Sequence, residues 1–102
     1  MAIPNLTSPP APPTLSSATP GDGNVTLTWT AVTGATYYNI YWSTLPDVTK
    51  TIGAATTGLS ATLPLTTAVT LANGTTYYFV VTAVNANGES VESNELSATP
   101  TL

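Results

Sequence analysis

The sequence contains no cysteine and no histidine, and Lys50 is its single cationic side chain. Without cysteine no disulfide can form, and without either residue the usual ligands of zinc, haem and iron–sulfur clusters are missing. We therefore expect neither a metal nor a cofactor. A net charge of −4 with one cation cannot neutralise a row of phosphates. The composition thus argues against nucleic acid, and against an anionic membrane surface, as a partner.

Charged residues of either sign are scarce, at 6% of the chain against about 25% in an average soluble domain. The acids are Asp22, Asp47, Glu89, Glu92 and Glu95. A two-carboxylate glycosidase needs two acids on either side of a cleft, about 5–10 Å apart, whereas these acids fall in turns and near one loop. Calcium needs about six to eight oxygens, and no EF-hand loop is present. We expect no catalytic residue, and interpret the chain as not being an enzyme.

Proline is concentrated at the start of the chain, where residues 1–13 carry five prolines. Proline fixes φ and removes a backbone donor, so this stretch is predicted to be extended, stiff and outside any sheet interior. We interpret residues 1–13 as a linker or lead-in, residues 14–100 as one folded domain, and residues 101–102 as a tail. An alternative is that the Pro-Pro-Ala-Pro-Pro run docks in an aromatic groove of another protein. No apolar run approaches the ~20 residues that span a bilayer.

Apolar residues alternate with polar ones through most of the remaining chain, as in Val-Thr-Leu-Thr-Trp-Thr over residues 25–30. This period of two is typical of a strand with one buried face. Strands are predicted over residues 25–30, 36–43, 48–52, 61–70, 75–84 and 93–99. The segment between Gly53 and Gly58 is weakly patterned and is interpreted as a loop. No segment has helical spacing, so we predict an all-β sandwich or barrel.

Aromatic and apolar residues recur at defined points of this pattern. They are Trp29, the alternating set Tyr38, Ile40 and Trp42, and the Leu-x-x-Gly-x-x-Tyr motif of Leu71, Gly74 and Tyr77. In this order and spacing they resemble the fibronectin type III family over roughly residues 13–100. The resemblance implies an all-β, immunoglobulin-like, seven-stranded Greek-key β-sandwich. It also implies a tyrosine corner, in which the Tyr77 hydroxyl turns back to a backbone group near Leu71.

The two inner faces of such a sandwich are predicted from the parity of each strand. The expected structural core consists of Trp29, Tyr38, Ile40, Trp42, Leu71, Tyr77 and Phe79. Further apolar residues expected to support it are Leu15, Val25, Leu27, Leu63, Leu65, Val69 and Val81.

Residues of the opposite parity point away from this core. Tyr37, Tyr41, Tyr78 and Val80 are predicted to lie together on the outer face of one sheet. Tyrosine combines a rigid apolar body with a polar tip, so this set is a candidate docking face for a protein or a sugar. The alternative is that these are good strand residues, partly covered by a neighbouring loop or strand.

The resemblance implies a function as well as a fold. Bacterial members of the family are accessory modules between other domains of secreted enzymes and surface proteins. We therefore expect a non-catalytic spacer of a larger secreted or cell-surface bacterial protein, with its neighbouring domains as partners. The alternative is a protein- or polysaccharide-binding module that uses the tyrosine face or its loops. A monomer is expected, although self-assembly through that face or an edge strand is a third interpretation.

Overall fold

A computed structural model of the chain describes residues 9–49, 54–60 and 66–102, with residues 54–60 and 66–68 described by their backbone alone. Lys50, Leu63, Leu65 and the first eight residues of the predicted linker lie outside the described residues. Within the described ranges, no helix is long and apolar enough to cross a membrane.

The described chain forms antiparallel strands in two sheets. In chain order they are β1 (Leu15–Gly21), β2 (Asn24–Trp29), β3 (Tyr37–Ser43), β4 (Ala54–Ser60), β5 (Thr66–Thr70), β6 (Tyr77–Asn85), β7 (Gly88–Glu89) and β8 (Leu96–Ala98). One sheet has the order β1-β2-β5, and the other has the order β4-β3-β6-β7, with β8 also paired to β6. The all-β sandwich predicted from the sequence is confirmed.

The last strand of the sandwich is interrupted, which differs from the continuous strand predicted over residues 93–99. Both β7 and β8 pair with β6, while the chain between them leaves strand geometry. There the hydroxyls of Ser90 and Ser93 accept hydrogen bonds from the backbone N–H groups of Ala83 and Val81, at 2.9 and 2.8 Å. Serine side chains thus satisfy donors on β6 that a continuous strand would have satisfied with carbonyl groups.

The strand β4 lies where the sequence pattern predicted a loop. On this side β3 pairs with Ala54–Ser60, and beyond Thr49 the predicted strand over residues 48–52 lies outside the described residues. Pairing with an already formed strand decides the structure here, since intrinsic strand preference is weak and depends on context. The strand predicted over residues 61–70 is observed as β5 over its second half, and residues 61–65 lie outside the described residues.

The core lies between the two sheets. Of the seven residues expected in it, six are buried in one continuous cluster, and Trp42 is partly buried against that cluster. Two edge-to-face aromatic contacts lie within this region: Trp29 on Tyr38 at 5.7 Å, and Trp42 on Tyr77 at 5.5 Å between ring centroids. Such pairs add to the stabilisation that comes from apolar burial.

Two core tyrosines also bind the backbone through their hydroxyl groups. The Tyr77 hydroxyl accepts a hydrogen bond of 3.2 Å from the N–H of Ala72, next to Leu71, as the tyrosine-corner motif implies. The Tyr38 hydroxyl accepts one of 2.9 Å from the N–H of Val32, a second contact of this type that the sequence did not predict. Each contact fixes a loop to the strand that carries the tyrosine.

Candidate functional site

The outer face of the five-stranded sheet carries the four residues predicted as an exposed docking face. Tyr41 and Val80 are instead buried, with 7% and 2% of their surface exposed, while Tyr37 and Tyr78 are half-buried. The prediction of an exposed patch is corrected accordingly. The physical reason is that Val48 packs on Tyr41 and Val80 and forms a second, small apolar cluster with them, against which Tyr78 lies.

Val48 lies in the segment of residues 44–49, which directly follows β3 and is called the strap. The carboxylate of Glu95 accepts hydrogen bonds from two strap N–H groups: Val48 at 2.8 Å and Asp47 at 3.3 Å. Asp47 has a φ of 66°, in the left-handed region that L residues other than glycine adopt at a cost. Glu95 thus holds the strap in a backbone conformation that brings Val48 onto the sheet.

A polar cluster lies beside this apolar cluster, and Glu89 on β7 is at its centre. One carboxylate oxygen, Oε2, accepts hydrogen bonds from the Tyr41 hydroxyl at 2.5 Å, the Thr82 hydroxyl at 2.5 Å and Asn39 Nδ2 at 3.1 Å. Tyr41, Thr82 and Asn39 are all buried, and Glu89 itself is partly exposed. The cluster ties β3, β6 and β7 together, because each strand contributes at least one member.

The phenol of Tyr41 is held in its neutral form by this environment. Burial, the hydrogen bond to Glu89 and the charge of that carboxylate raise the pKa of Tyr41 from 10.0 to about 12. A pKa that is higher in the folded than in the unfolded state means that the folded state binds this proton more tightly. The resulting stabilisation is fully present below pH 10 and is lost as the pH rises through about 12.

The chemistry available to this cluster is that of hydrogen bonding. Glu89 is the one carboxylate bonded to Asn39, Tyr41 and Thr82, while Glu95 binds strap amides instead. Among the residues with described side chains, no group of three acidic or other metal-ligating side chains is placed to hold an ion. The geometry therefore describes a hydrogen-bonded cluster that stabilises this face of the sheet.

A cleft opens at the end of the sandwich that carries residues 9–12 and the turn between β6 and β7. Its volume is about 780 Å³. The residues that line it are Pro9, Pro10, Ala11, Pro12, Thr30, Ala31, Val32, Thr33, Gly34, Thr36, Asn85, Ala86 and Asn87. All of these side chains are uncharged, and they include proline rings, amides and hydroxyl groups.

The opposite end of the sandwich is closed by hydrogen bonds between turns. The Asn73 side chain accepts from the N–H of Gly23 at 2.7 Å and donates to the carboxylate of Asp22 at 2.9 Å. The C-terminal segment joins the same region, since the N–H of Thr101 donates to the Gly21 carbonyl at 3.0 Å. This end therefore attaches the C-terminal segment to the end of β1.

The comparisons with known proteins agree with this architecture. A family model described as "Fibronectin type III domain" matches residues 8–99. An amylopullulanase of Thermoanaerobacter thermohydrosulfuricus is 42% identical over 98 residues, which cover 94% of this chain and 6% of that protein. The chain therefore spans only a small part of the length of this relative.

Two solved structures are similar in both fold and sequence. A beta-1,2-glucanase from Parabacteroides distasonis superposes with a TM-score of 0.72 at 25% identity, over 97% of this chain and 14% of that one. A Fn3-like protein from Clostridium thermocellum superposes with a TM-score of 0.61 at 28% identity, over 94% of this chain and 96% of that one. The same fold thus occurs both as a small part of a long chain and as nearly all of a short one.

Proposed function

This chain belongs to the fibronectin type III family, and on that premise we propose that it is a non-catalytic spacer module of a larger bacterial protein. In this role it sets the distance and orientation of the domains on either side of it. The observation that carries the proposal is that the segments before β1 and after β8 lie at opposite ends of the sandwich.

The position of the N-terminal segment is given by its contact with the turn between β6 and β7. Pro9 Cγ lies 3.4 Å from the position that a Cβ on Gly88 would occupy. The position of the C-terminal segment is given by Thr101 and Gly21, beside the turn between β1 and β2. These two turns lie at opposite ends of the sheets, separated by at least the length of β6, whose nine residues span about 26 Å.

The C-terminal segment is attached to both sheets. The carbonyl of Pro100 accepts a hydrogen bond from the N–H of Gly74 at 2.8 Å, and Pro100 itself is buried. The hydroxyls of Thr76 and Thr99 are bonded at 2.7 Å. A segment held at several points transmits the orientation of the domain to whatever follows, which a Gly/Ser linker does not.

The relatives support an accessory role in a long protein. The module occupies 6% of an amylopullulanase and 14% of a beta-1,2-glucanase, so other parts of those chains make up most of their length.

Enzymes named for polymeric glucans meet a substrate that is too large to enter a cell. We therefore propose a secreted or cell-surface location for the protein that contains this module, with its neighbouring domains as partners and no self-association.

The proposal is tested by measuring the distance between the two ends of the domain. Because the chain has no cysteine, Ala11→Cys and Leu102→Cys provide unique sites for two spin labels. Pulsed electron resonance is expected to give one narrow distance distribution, centred beyond the about 26 Å length of β6. A broad distribution, or one centred at a shorter distance, contradicts a rigid spacer.

A second candidate function, binding of a neutral polysaccharide, is favoured by the uncharged cleft at the N-terminal end. Amide and hydroxyl groups beside proline rings suit a neutral, polyhydroxylated ligand, and one relative is named as an amylopullulanase. Titration with a malto-oligosaccharide is expected to shift the NMR amide signals of Thr33 and Asn87. The signals of Gly21 and Gly23, at the other end of the domain, serve as the internal control. Absence of shifts at millimolar sugar removes this candidate.

A further inference from the structure

We propose that the Asn73–Gly74 peptide is a site of spontaneous deamidation, which the C-terminal segment (residues 99–102) protects while it is attached to the domain. Conversion of Asn73 to aspartate is expected to loosen that attachment. This inference goes beyond the spacer role, since it concerns the covalent chemistry of a single turn.

Deamidation of an asparagine begins at the backbone nitrogen of the next residue. That nitrogen loses its proton and attacks the side-chain carbon Cγ, the Cγ–Nδ2 bond breaks, and ammonia leaves with the proton. Water then opens the cyclic imide and gives aspartate or isoaspartate, so one water is consumed for each ammonia released. Glycine hinders this attack least, because it has no Cβ. Two pairs in the sequence have this composition, Asn73–Gly74 and Asn87–Gly88.

In the folded domain, three atoms of the reacting group at Asn73 are engaged in hydrogen bonds. The attacking nitrogen, Gly74 N, donates to the carbonyl of Pro100 at 2.8 Å. The leaving nitrogen, Asn73 Nδ2, donates to the carboxylate of Asp22 at 2.9 Å, and Asn73 Oδ1 accepts from the N–H of Gly23 at 2.7 Å. These bonds connect the turn between β5 and β6 with the turn between β1 and β2 and with the C-terminal segment.

The reaction and the attachment of the C-terminal segment exclude each other. In the cyclic imide the Gly74 nitrogen carries no hydrogen, so it has nothing to donate to Pro100, and the nitrogen that donated to Asp22 has left as ammonia. Gly74 therefore has to separate from Pro100 before Asn73 can react, and the rate depends on this local opening. Exposure alone does not set the rate, although the Asn73 side chain is exposed to solvent.

The product does not fit the site that the asparagine occupied. An aspartate at position 73 keeps an acceptor for the N–H of Gly23 but has no donor for Asp22, so two carboxylates face each other and repel. The same end of the sandwich holds Thr101, whose N–H donates to the Gly21 carbonyl at 3.0 Å. Deamidation is therefore expected to loosen the C-terminal segment, and the loss of ammonia makes the change permanent.

The first experiment compares deamidation of the full chain under native conditions and in urea, with the reacted peptides quantified by mass spectrometry. In urea the two Asn-Gly pairs are expected to react at similar rates, because neither is held by the fold. In the native chain Asn73 is expected to react at least about tenfold more slowly than in urea, because hydrogen bonds have to open first. Equal rates for Asn73 in the two conditions overturn the proposal.

The second experiment loosens the C-terminal segment at Thr101. Thr101→Pro removes the N–H that donates to Gly21, whereas Thr101→Val keeps that N–H. Asn73 is expected to react about fivefold faster in Thr101→Pro than in the wild type, as the loss of one hydrogen bond implies, and at the wild-type rate in Thr101→Val. Asn87, at the other end of the sandwich, is the internal control. An unchanged Asn73 rate in Thr101→Pro, or equal acceleration of Asn73 and Asn87, overturns the protection by this segment.

The third measurement concerns the product, which Asn73→Asp introduces by substitution. The Thr101 amide is expected to exchange about fivefold faster in this variant than in the wild type, since one hydrogen bond is lost at this end of the domain. The Phe79 amide in the core is expected to keep its wild-type rate. A Thr101 amide that also keeps its rate, or joint acceleration of the two amides, overturns the expected loosening.

Discussion

Replacing Glu89 with alanine is expected to lower the free energy of unfolding by about 3 kcal/mol, since hydrogen bonds to charged groups contribute about 1.5–3 kcal/mol each. The change removes the shared acceptor of the Asn39, Tyr41 and Thr82 side chains. The expected loss is smaller than the sum of three bonds because Glu89 is partly exposed, so water can reach some of the freed donors. Urea denaturation of the variant and the wild type measures the difference.

The control for this experiment is a double-mutant cycle with Thr82→Val, which removes one of the buried donors at nearly constant volume. If Thr82 is bonded to Glu89 as observed, the double variant is less destabilised than the sum of the two single variants. Additive effects, or a loss below about 1 kcal/mol for Glu89→Ala, contradict a cluster of shared hydrogen bonds. Glu89→Gln is expected to fall between the alanine variant and the wild type.

The second large effect is expected at the tyrosine corner. Tyr77→Phe removes the acceptor of the Ala72 N–H and is expected to cost about 1–3 kcal/mol, because a part-buried backbone donor loses its partner. The matched control is Tyr78→Phe, at a half-buried position on the outer face, for which a change below about 0.5 kcal/mol is expected. Equal effects in the two variants would mean that the corner hydrogen bond does not stabilise the domain.

The resemblance implied the tyrosine corner, and its residues lie close together in the chain. Leu71, Gly74 and Tyr77 span seven positions, and the Tyr77 hydroxyl accepts the N–H of Ala72 between them. Gly74 has a φ of 84°, which glycine adopts without steric cost, so its place in the motif also follows from backbone geometry. The core residues were predictable for a related reason, since alternation along a strand assigns each side chain to a face.

Alternation assigns a residue to a face but does not say what covers that face. Tyr41 and Val80 do point away from the main core, yet Val48 from the strap packs on both, and Glu89 from β7 accepts a hydrogen bond from the Tyr41 hydroxyl. The signal that was present and missed is polar: Asn39 and Thr82 share the parity of Tyr41 and Val80, and they lie opposite each other in the sheet. A polar pair in the middle of two apolar strands indicates that a polar partner covers it.

The position of β4 could not be obtained from the pattern for a different reason. Residues 54–60 have no clear alternation, and their strand geometry comes from pairing with β3, which is a tertiary contact. The same holds for the interruption between β7 and β8, where two serine hydroxyls replace strand carbonyls. Both features depend on which backbone N–H and C=O groups of the adjacent strand still need a hydrogen-bond partner.

The few acidic side chains of the sequence act as hydrogen-bond acceptors in the structure. Glu89 accepts hydrogen bonds from the polar cluster, Glu95 accepts them from the strap, and Asp22 accepts one from the side-chain amide of Asn73. These carboxylates accept hydrogen bonds from neutral groups, so no cation is needed to pair with them. These acids stabilise turns and cover one face of a sheet.

The measurement that tests the spacer account most directly is the distance between the labelled ends, repeated in two variants of Thr101. Thr101→Pro removes the N–H that donates to Gly21, whereas Thr101→Val keeps that N–H and removes only the hydroxyl. A rigid spacer is expected to give a narrow distribution in the wild type and in Thr101→Val, and a broader one in Thr101→Pro. Equally broad distributions in all three proteins would contradict it, because the domain would then not fix the direction in which its chain leaves.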